Sequence, residues 1–390
     1  MFFIGTSRLG WIIADLAGLS NGHRSKTLVW GSSLGVGRRV GSCTTSVLDF
    51  GHCCQYTAAR TTKAHFLGCL GKWHLAQKSV LTMVRRGMKC ARPFGLFVIK
   101  SGRLDMEELP IVLSHVQTAV LLAARQKNQT VVEVSLDLGL TTVEVDLDAG
   151  GVALPDGQVL AWQHAEEIDG SERGCFVIKV GEPCKIQFFS EASNRLYSLM
   201  PTDGAPTMLV SGIPMHRFKG IDPHRDTLLK VKTIAPVTGR VLDTATGLGY
   251  TAIEVAKTAE KVTTVEIEPA ALEVARLNPW SQRLFDDPRI TQIVGDVYDE
   301  IETFDDEAFD RIIHDPPAFN LAGDLYAGSF YRELYRVLRR KGRLFHYIGD
   351  LESKSGRTVS KGAIRRLQEA GFSRVVRRPE AFGLVAYKGG

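Results

Sequence analysis

The stretch from Gly239 to Ala256 constrains the fold of this chain more than any other part of its sequence. It spells a short apolar strand that ends at Asp243, a turn with Gly247 and Gly249, and then a helical segment. Glycine lets a backbone turn sharply and approach a ligand where a Cβ would collide. Because Ala252 occupies the third glycine position, the turn also nearly matches the dinucleotide-binding pattern, so NAD and FAD are alternatives here.

Acidic residues also end the next two predicted strands. The strand Lys261 to Glu266 ends 23 residues after Asp243, where a carboxylate can grip ribose hydroxyls. The next strand runs into Gly295-Asp296-Val297, where Asp296 could accept a hydrogen bond from an adenine amino group. Glu268 is predicted instead to stabilise the start of a helix. Three acids ending three successive strands shift the balance away from a dinucleotide.

This run resembles class I S-adenosylmethionine-dependent methyltransferases over about 150 residues, from Arg240 onward. The resemblance implies an α/β fold, a Rossmann-like sheet of seven strands with the last one antiparallel. It also implies S-adenosyl-L-methionine as the cofactor. The residues expected to bind it are Asp243, Thr244, Gly247, Gly249, Glu266, Asp296 and Val297.

A fourth predicted strand, Phe309 to His314, leads directly into Asp315-Pro316-Pro317-Ala318-Phe319. Ligands of open α/β sheets bind at the carboxyl ends of the strands. These residues resemble the Asp/Asn-Pro-Pro-aromatic motif of methyltransferases that modify amino groups. The resemblance implies that Asp315 and the backbone carbonyl before Pro317 accept hydrogen bonds from the acceptor nitrogen. The sequence departs from the motif by placing Ala318 at the aromatic position, with Phe319 one residue later.

The predicted catalytic residues are therefore His314, Asp315, Pro316, Pro317 and Phe319. His314 is either a proton acceptor or a strand-end histidine that only bonds to backbone. The stretch from His314 to Tyr347 is similar to a mostly archaeal group of predicted methyltransferases with a His-Asp-Pro-Pro motif. That group is related to the methyltransferase domain of a tRNA wobble-uridine modification enzyme.

The first quarter of the chain differs in composition from the rest. Residues 1–105 hold 15 Lys and Arg against 3 Asp and Glu, whereas the whole chain has 48 against 43. Residues 1–87 also lack a sustained apolar period, which predicts a poorly structured leader. It is either a transit-like segment or the product of a mis-assigned start, with translation beginning at Met88 or Met106.

Residues 106–212 are predicted to form a small, mainly β N-terminal domain, and residues 213–390 the methyltransferase domain. A helical pattern from Leu109 precedes segments that are short and rich in β-branched and aromatic residues. These are Thr130 to Leu136, Leu140 to Leu147, Gly174 to Val180, Cys184 to Phe189, Arg195 to Pro201 and Pro206 to Val210. The β domain could select substrate, form a homodimer or cover the catalytic domain.

Two basic regions have functional and structural interpretations. His216, Arg217 and Lys219, before a predicted helix from His224 to Ile234, could contact substrate or cofactor, or belong to a solvated linker. Three later basic runs could meet RNA phosphates or form solvated faces. They are Arg339-Arg340-Lys341, Arg365-Arg366 and Arg377-Arg378.

The leading hypothesis is N-methylation of an amino or ring nitrogen in an unidentified acceptor, with tRNA or rRNA as one option. The alternatives are a spermidine-synthase-like aminopropyltransferase and a non-catalytic cofactor-binding scaffold.

No metal site is expected, since His52 and Cys53-Cys54 lack a second ligand pair at zinc spacing. Arg8 and Asp15 interrupt any apolar leader core, and no run reaches about 18 apolar residues, so we expect a cytoplasmic protein without membrane contact.

Overall fold

The computed structural model describes residues 110–317 and 322–389. The predicted leader and the Ala318-Phe319 part of the proline motif lie outside these described residues. The described residues belong to one compact unit. In the described ranges, no helix is both long and apolar enough to cross a membrane.

The first half of the described chain forms three small antiparallel sheets and two helices. The sheets have the strand orders β1-β6-β7, β2-β3-β4-β5 and β11-β10-β9-β8. The strands are β1 (Val112–Leu113), β2 (Val131–Val134), β3 (Val143–Leu147), β4 (Gly151–Ala153), β5 (Val159–Ala161), β6 (Phe176–Lys179), β7 (Glu182–Lys185), β8 (Gln187–Ser190), β9 (Arg195–Met200), β10 (Thr207–Val210) and β11 (Ile213–Pro214). The helices are α1 (His115–Gln126) and α2 (Trp162–Asp169).

Local chemistry explains where the first helix begins. The predicted helical pattern started near Leu109, but Val112 and Leu113 pair with β6 as a strand. Ser114 then caps α1 through a capping box with Gln117, in which side chain and backbone bond reciprocally. The expectation of one helix from Leu109 is therefore wrong at its start, because pairing with β6 takes the first apolar residues.

The second half contains a seven-stranded sheet in the order β14-β13-β12-β15-β16-β18-β17. Its strands are β12 (Arg240–Asp243), β13 (Lys261–Glu266), β14 (Ile290–Val294), β15 (Phe309–His314), β16 (Leu338–Tyr347), β17 (Arg374–Arg378) and β18 (Gly383–Tyr387). Neighbours from β14 to β16 run parallel, and β18 is antiparallel to both β16 and β17. The predicted seven strands with an antiparallel last strand are confirmed.

Helices connect and flank these strands. They are α3 (Pro223–Thr233), α4 (Tyr250–Ala256), α5 (Pro269–Leu277), α6 (Gln282–Asp286), α7 (Val297–Glu300), α8 (Gly328–Val337) and α9 (Lys354–Glu369). Asp222 caps α3 by accepting from His224 and Arg225 N–H, and Pro223 occupies its first turn. Glu268 likewise caps α5, as its sequence position predicted.

The chain reverses direction across the sheet between β12 and β15. From β12 it moves outward to β13 and β14, then returns to β15 on the other side. In parallel sheets such a switch point is where ligands bind, beyond the carboxyl ends of the strands. Asp243, Glu266 and His314 end their strands at this shared edge, and Asp315 follows His314.

One hydrophobic core spans both predicted domains. Val112, Cys175 and Leu199 from the β-rich half belong to the same buried cluster as Val241 and Val262 from the large sheet. A second cluster lies around Phe309, Leu344 and the helices α8 and α9. The division into residues 106–212 and 213–390 therefore stays a prediction.

Candidate active site

A pocket of about 990 Å³ lies beyond the carboxyl ends of β12, β13 and β15. Eight of the predicted site residues line it: Thr244, Gly247, Glu266, Asp296, Val297, Asp315, Pro316 and Pro317. Three more predicted site residues are buried and do not line the pocket: Asp243, Gly249 and His314. Phe319 lies outside the described residues.

Gly247 and Glu266 form one side of the pocket. Gly247 has φ +53°, and a Cβ added there would meet no atom within 4 Å, so its backbone is open to a ligand. The Gly247 N–H donates to Oε2 of Glu266 (2.8 Å), and the Glu268 N–H donates to Oε1 (3.0 Å). Burial raises the pKa of Glu266 while these backbone bonds oppose the rise. The carboxylate is thus held in a fixed orientation at the pocket surface, as a ribose ligand requires.

Asp243 lies beneath the pocket. Its side chain is fully buried, and Oδ2 accepts from the hydroxyls of Thr251 (3.1 Å) and Thr264 (3.0 Å). The other oxygen, Oδ1, is buried without a hydrogen-bond partner. Burial raises the pKa of Asp243 to about 7, although the two threonine bonds lower it. Asp243 therefore connects β12 to α4 and β13 through these two threonines, and direct cofactor contact by it stays a prediction.

Gly249 has a packing role. It adopts φ +76° at the start of α4, and an added Cβ would come within 2.7 Å of the Leu284 side chain. Both facts require glycine, because the left-handed region is costly for other residues and α6 packs closely there. Of Gly247 and Gly249, only Gly247 lines the pocket, and the predicted methionine-side contact of both stays a prediction.

Asp296 and Val297 form another part of the lining. Asp296 accepts from the Tyr298 N–H (2.9 Å) and so caps the short helix α7. The Val297 side chain is buried beside it. This position at the end of β14 is compatible with an adenine contact, which stays a prediction.

Asp315 is held by a buried lysine that sequence reasoning missed. Lys230 on α3 is only 2% exposed, and its Nζ donates to Asp315 Oδ2 at 2.6 Å. The same ammonium lies 3.0 Å from Asp226 Oδ2 and 4.7 Å from the centre of the Tyr347 ring. Burial alone would lower the pKa of Lys230, but the carboxylates of Asp315 and Asp226 outweigh it, and the pKa is raised. Lys230 therefore stays charged.

Arg217 completes this buried chain of charges. Its Nε donates to Asp226 Oδ1 (2.5 Å), and its guanidinium lies 4.1 Å from the centre of the Phe382 ring. The available sequence signal was the spacing of four between Asp226 and Lys230 on one helix. Nothing in the sequence pairs Lys230 with Asp315, which lies 85 residues away.

Of the two roles that the sequence left open for His314, proton acceptor or structural histidine, its contacts match the structural one. Its side chain is buried; Nε2 bonds to the Leu325 carbonyl (2.9 Å), and Nδ1 to the Thr244 hydroxyl (2.7 Å). A carbonyl only accepts, so Nε2 carries the hydrogen and Nδ1 accepts from Thr244. Burial lowers the pKa of His314 to about 4. With both ring nitrogens used inside the protein, His314 is not available to accept a substrate proton.

The two prolines lie in the pocket lining after Asp315. The Tyr326 hydroxyl donates to the Pro317 carbonyl (3.2 Å), which ties the loop to the segment before α8. The Pro316 carbonyl precedes Pro317, in the position that the motif resemblance assigns to an acceptor contact. The loop is therefore attached at Asp315 by Lys230 and at Pro317 by Tyr326.

The β8–β11 sheet forms the opposite wall of the pocket. Tyr197 on β9 donates its hydroxyl to Glu268 Oε2 (3.3 Å), and the Tyr250 hydroxyl donates to the Pro206 carbonyl (2.9 Å). His216 also lines the pocket, and burial together with Lys230 lowers its pKa to about 3. The three roles left open for the β-rich region stay predictions.

The residues present fit S-adenosylmethionine. The open backbone at Gly247 and the fixed Glu266 carboxylate line the pocket where the cofactor is expected, and the unpartnered Oδ1 of Asp243 is buried behind them. Within the described ranges, no cluster of His, Cys, Asp and Glu side chains could hold a metal ion. The strand order and this site together define a Rossmann-like methyltransferase fold of class I.

The comparisons with known proteins agree with this class. The family model of the methyltransferase small domain matches residues 215–350. The uncharacterized protein MJ1233 of Methanocaldococcus jannaschii is 40% identical over 291 residues, 73% of this chain and 99% of that protein. The chain therefore belongs to the family of MJ1233.

More distant similarities cover smaller parts of the chain. Putrescine N-methyltransferase 2 of Nicotiana tabacum is 28% identical over 140 residues, 35% of this chain and 40% of that protein. The crystal structure of spermidine synthase in complex with the transition state analogue AdoDATO aligns with a TM-score of 0.44 and 21% identity, covering 52% of this chain and 72% of that one.

Proposed function

We propose that this protein is an S-adenosylmethionine-dependent methyltransferase that methylates an amino or ring nitrogen. The observation that carries the proposal is the Asp315 carboxylate. It lies in the same pocket as Gly247 and Glu266, and its side chain is 18% exposed. A carboxylate at this point can accept an N–H of the acceptor and so orient the nitrogen lone pair.

The proposed cofactor residues hold the electrophile, and the loop holds the nucleophile. Gly247, Glu266 and Asp296 would bind the cofactor, which supplies a methyl group on a sulfonium. The nitrogen lone pair forms the new N–C bond while the C–S electron pair stays on sulfur, and the nitrogen proton leaves to solvent. Asp315 aligns the N–H, and no proton transfer through His314 is required.

Methyl transfer from labelled S-adenosylmethionine to fractionated RNA, protein and small molecules tests the proposal. Wild type is compared with Asp315→Ala and Asp315→Asn, with the exposed carboxylate variant Asp305→Asn as a matched control. We expect wild type and the control to label one fraction, Asp315→Ala to lose at least about tenfold in rate, and Asp315→Asn to lose a similar factor, because Lys230 takes its amide oxygen and the amide NH2 then faces the acceptor N–H. Equal labelling by wild type and Asp315→Ala would contradict the role of Asp315.

Aminopropyl transfer is a second candidate, which the charge of the pocket favours. Five acidic side chains line it against one arginine, Arg195. A cationic polyamine suits such a lining. Calorimetry separates the two candidates, because a methyltransferase should prefer S-adenosylmethionine and an aminopropyltransferase its decarboxylated form. Binding of either without any transfer would favour a cofactor-binding scaffold.

An RNA base is one proposed source of the acceptor nitrogen. Arg377 is exposed and lies near the carboxyl end of β17, which runs parallel to β16 and so ends at the pocket edge of the sheet. Arg339-Arg340-Lys341 lies at the opposite end, where β16 bulges between Leu338 and Arg343. Label in an RNA fraction, with a salt-dependent loss in Arg377→Ala, is expected if RNA is the acceptor.

A further inference from the structure

Four alternating charges form a buried line from the connector before α3 to the pocket. Arg217 contacts Asp226, Asp226 contacts Lys230, and Lys230 contacts Asp315. Their side chains are 14%, 0%, 2% and 18% exposed in that order. Of the two carboxylates in this line, only that of Asp315, at the pocket, is appreciably exposed. Buried charges are costly unless paired, and here each one has an opposite partner.

Charged and titratable groups face Asp315 from several elements. Asp226 and Lys230 come from α3, and Arg217 from the connector. Tyr347 at the end of β16 and Tyr326 before α8 also feel its charge, as does Asp243 at the end of β12. Burial raises the pKa of Asp315, Lys230 opposes that rise most strongly, and Asp226 adds to it.

We infer that Lys230 is a positioning residue for Asp315, which it keeps charged and turns so that one carboxylate oxygen is left for the acceptor N–H. The inference rests on the proposed function. Lys230 occupies Oδ2 at 2.6 Å, so the acceptor meets Oδ1. Asp226 fixes the ammonium from the other side at 3.0 Å, which prevents Lys230 from swinging toward the pocket.

Lys230 also makes Asp315 a weaker base than burial alone would, although the pKa of Asp315 stays above its ordinary value because burial outweighs the ammonium. A paired carboxylate accepts a hydrogen bond well but releases a captured proton readily, because the neighbouring ammonium stabilises the charged form. Asp315 therefore aligns the acceptor nitrogen, and the paired ammonium favours release of a captured proton. The acceptor class that suits this arrangement is an amino group that is uncharged before transfer.

The test follows the Asp315 carboxyl by carbon-13 NMR of the full-length protein with labelled aspartate, where Asp315→Asn identifies the signal. In Lys230→Met we expect the titration midpoint to rise by about one to three pH units, because the paired cation is gone. In Asp226→Asn we expect it to fall, because a neighbouring negative charge is gone. Lys230→Arg keeps the cation and should leave the midpoint near that of wild type.

A rise of the Asp315 midpoint in Lys230→Met together with a fall in Asp226→Asn separates the positioning role of Lys230 from a general loss of folding. If Lys230→Met does not fold, Asp226→Asn and Lys230→Arg still decide the outcome. An Asp315 midpoint that is the same in all folded variants would overturn the inference, as would wild-type transfer rates in Lys230→Met. Absent transfer by the wild type contradicts only the proposed function, because the NMR titration needs neither cofactor nor acceptor.

Discussion

Replacing Asp243 by Asn should flatten the dependence of stability on pH. Burial raises the pKa of Asp243 from 3.8 to about 7. Below about pH 4 the folded and unfolded states both hold this proton; between pH 4 and 7 only the folded state holds it. Wild-type stability therefore falls as pH rises through this window, and above pH 7 the loss is complete.

The size of the effect follows from the shift. Each pKa unit corresponds to about 1.4 kcal/mol, so a shift of roughly three units costs about 4 kcal/mol above pH 7. Roughly 2–3 kcal/mol of this falls between pH 5 and pH 8. Asn can still accept from Thr251 and Thr264 through its carbonyl oxygen, and it has no proton to lose.

Urea unfolding at pH 5 and pH 8 measures the difference directly. Wild type should lose roughly 2–3 kcal/mol more than Asp243→Asn between the two pH values, while the exposed control Asp305→Asn should follow wild type. Other carboxylates with raised pKa values, such as Glu266, are common to all three proteins and cancel. The same pH dependence in wild type and Asp243→Asn would refute the reasoning, because Asp243 would then be ionised inside the fold.

Two further outcomes are expected. Glu266→Gln should weaken S-adenosylmethionine binding by about 1.5–3 kcal/mol, roughly ten- to hundredfold in Kd by calorimetry, because a charge-assisted hydrogen bond is lost; an unchanged Kd would rule out Glu266 as a ligand. Gly249→Ala should lower the free energy of unfolding by about 1–3 kcal/mol, from the left-handed backbone and the contact with Leu284. In a Leu284→Ala background, itself destabilised by the cavity it leaves, Gly249→Ala should cost less than it does in wild type. A urea midpoint equal to wild type in Gly249→Ala would contradict the packing role.

The large sheet was predictable because its strands carry local signals. Lys261–Glu266, Ile290–Val294 and Phe309–His314 have the predicted bounds, since each is rich in β-branched or aromatic residues and is followed within two residues by an acidic residue or ends at one. Other elements depend on partners far along the chain. Gly151–Ala153 and Val159–Ala161 are too short to show a period, and the segment predicted from Cys184 to Phe189 divides between β7 and β8, which lie in different sheets.

The site was predictable to the extent that it follows strand ends. Glu266, Asp296 and Asp315 each follow or end a parallel strand, and the topology brings them to one pocket. Lys230 was missed because a lysine on an amphipathic helix normally faces solvent. His314 shows the opposite case: its position after a strand is informative, but only the contacts with Thr244 and Leu325 decide how its nitrogens are used.

The placement of β18 has a consequence for the order in which the sheet assembles. β18 pairs on one side with β16 and on the other with β17, although it follows both in the chain. During synthesis, β16 therefore has an open edge until residues 383–387 emerge and the β17–β18 hairpin docks. Exposed charges on an open strand edge discourage pairing with another chain. Arg339, Arg340 and Lys341, which bulge from the start of β16, supply such charges while the nascent sheet is incomplete.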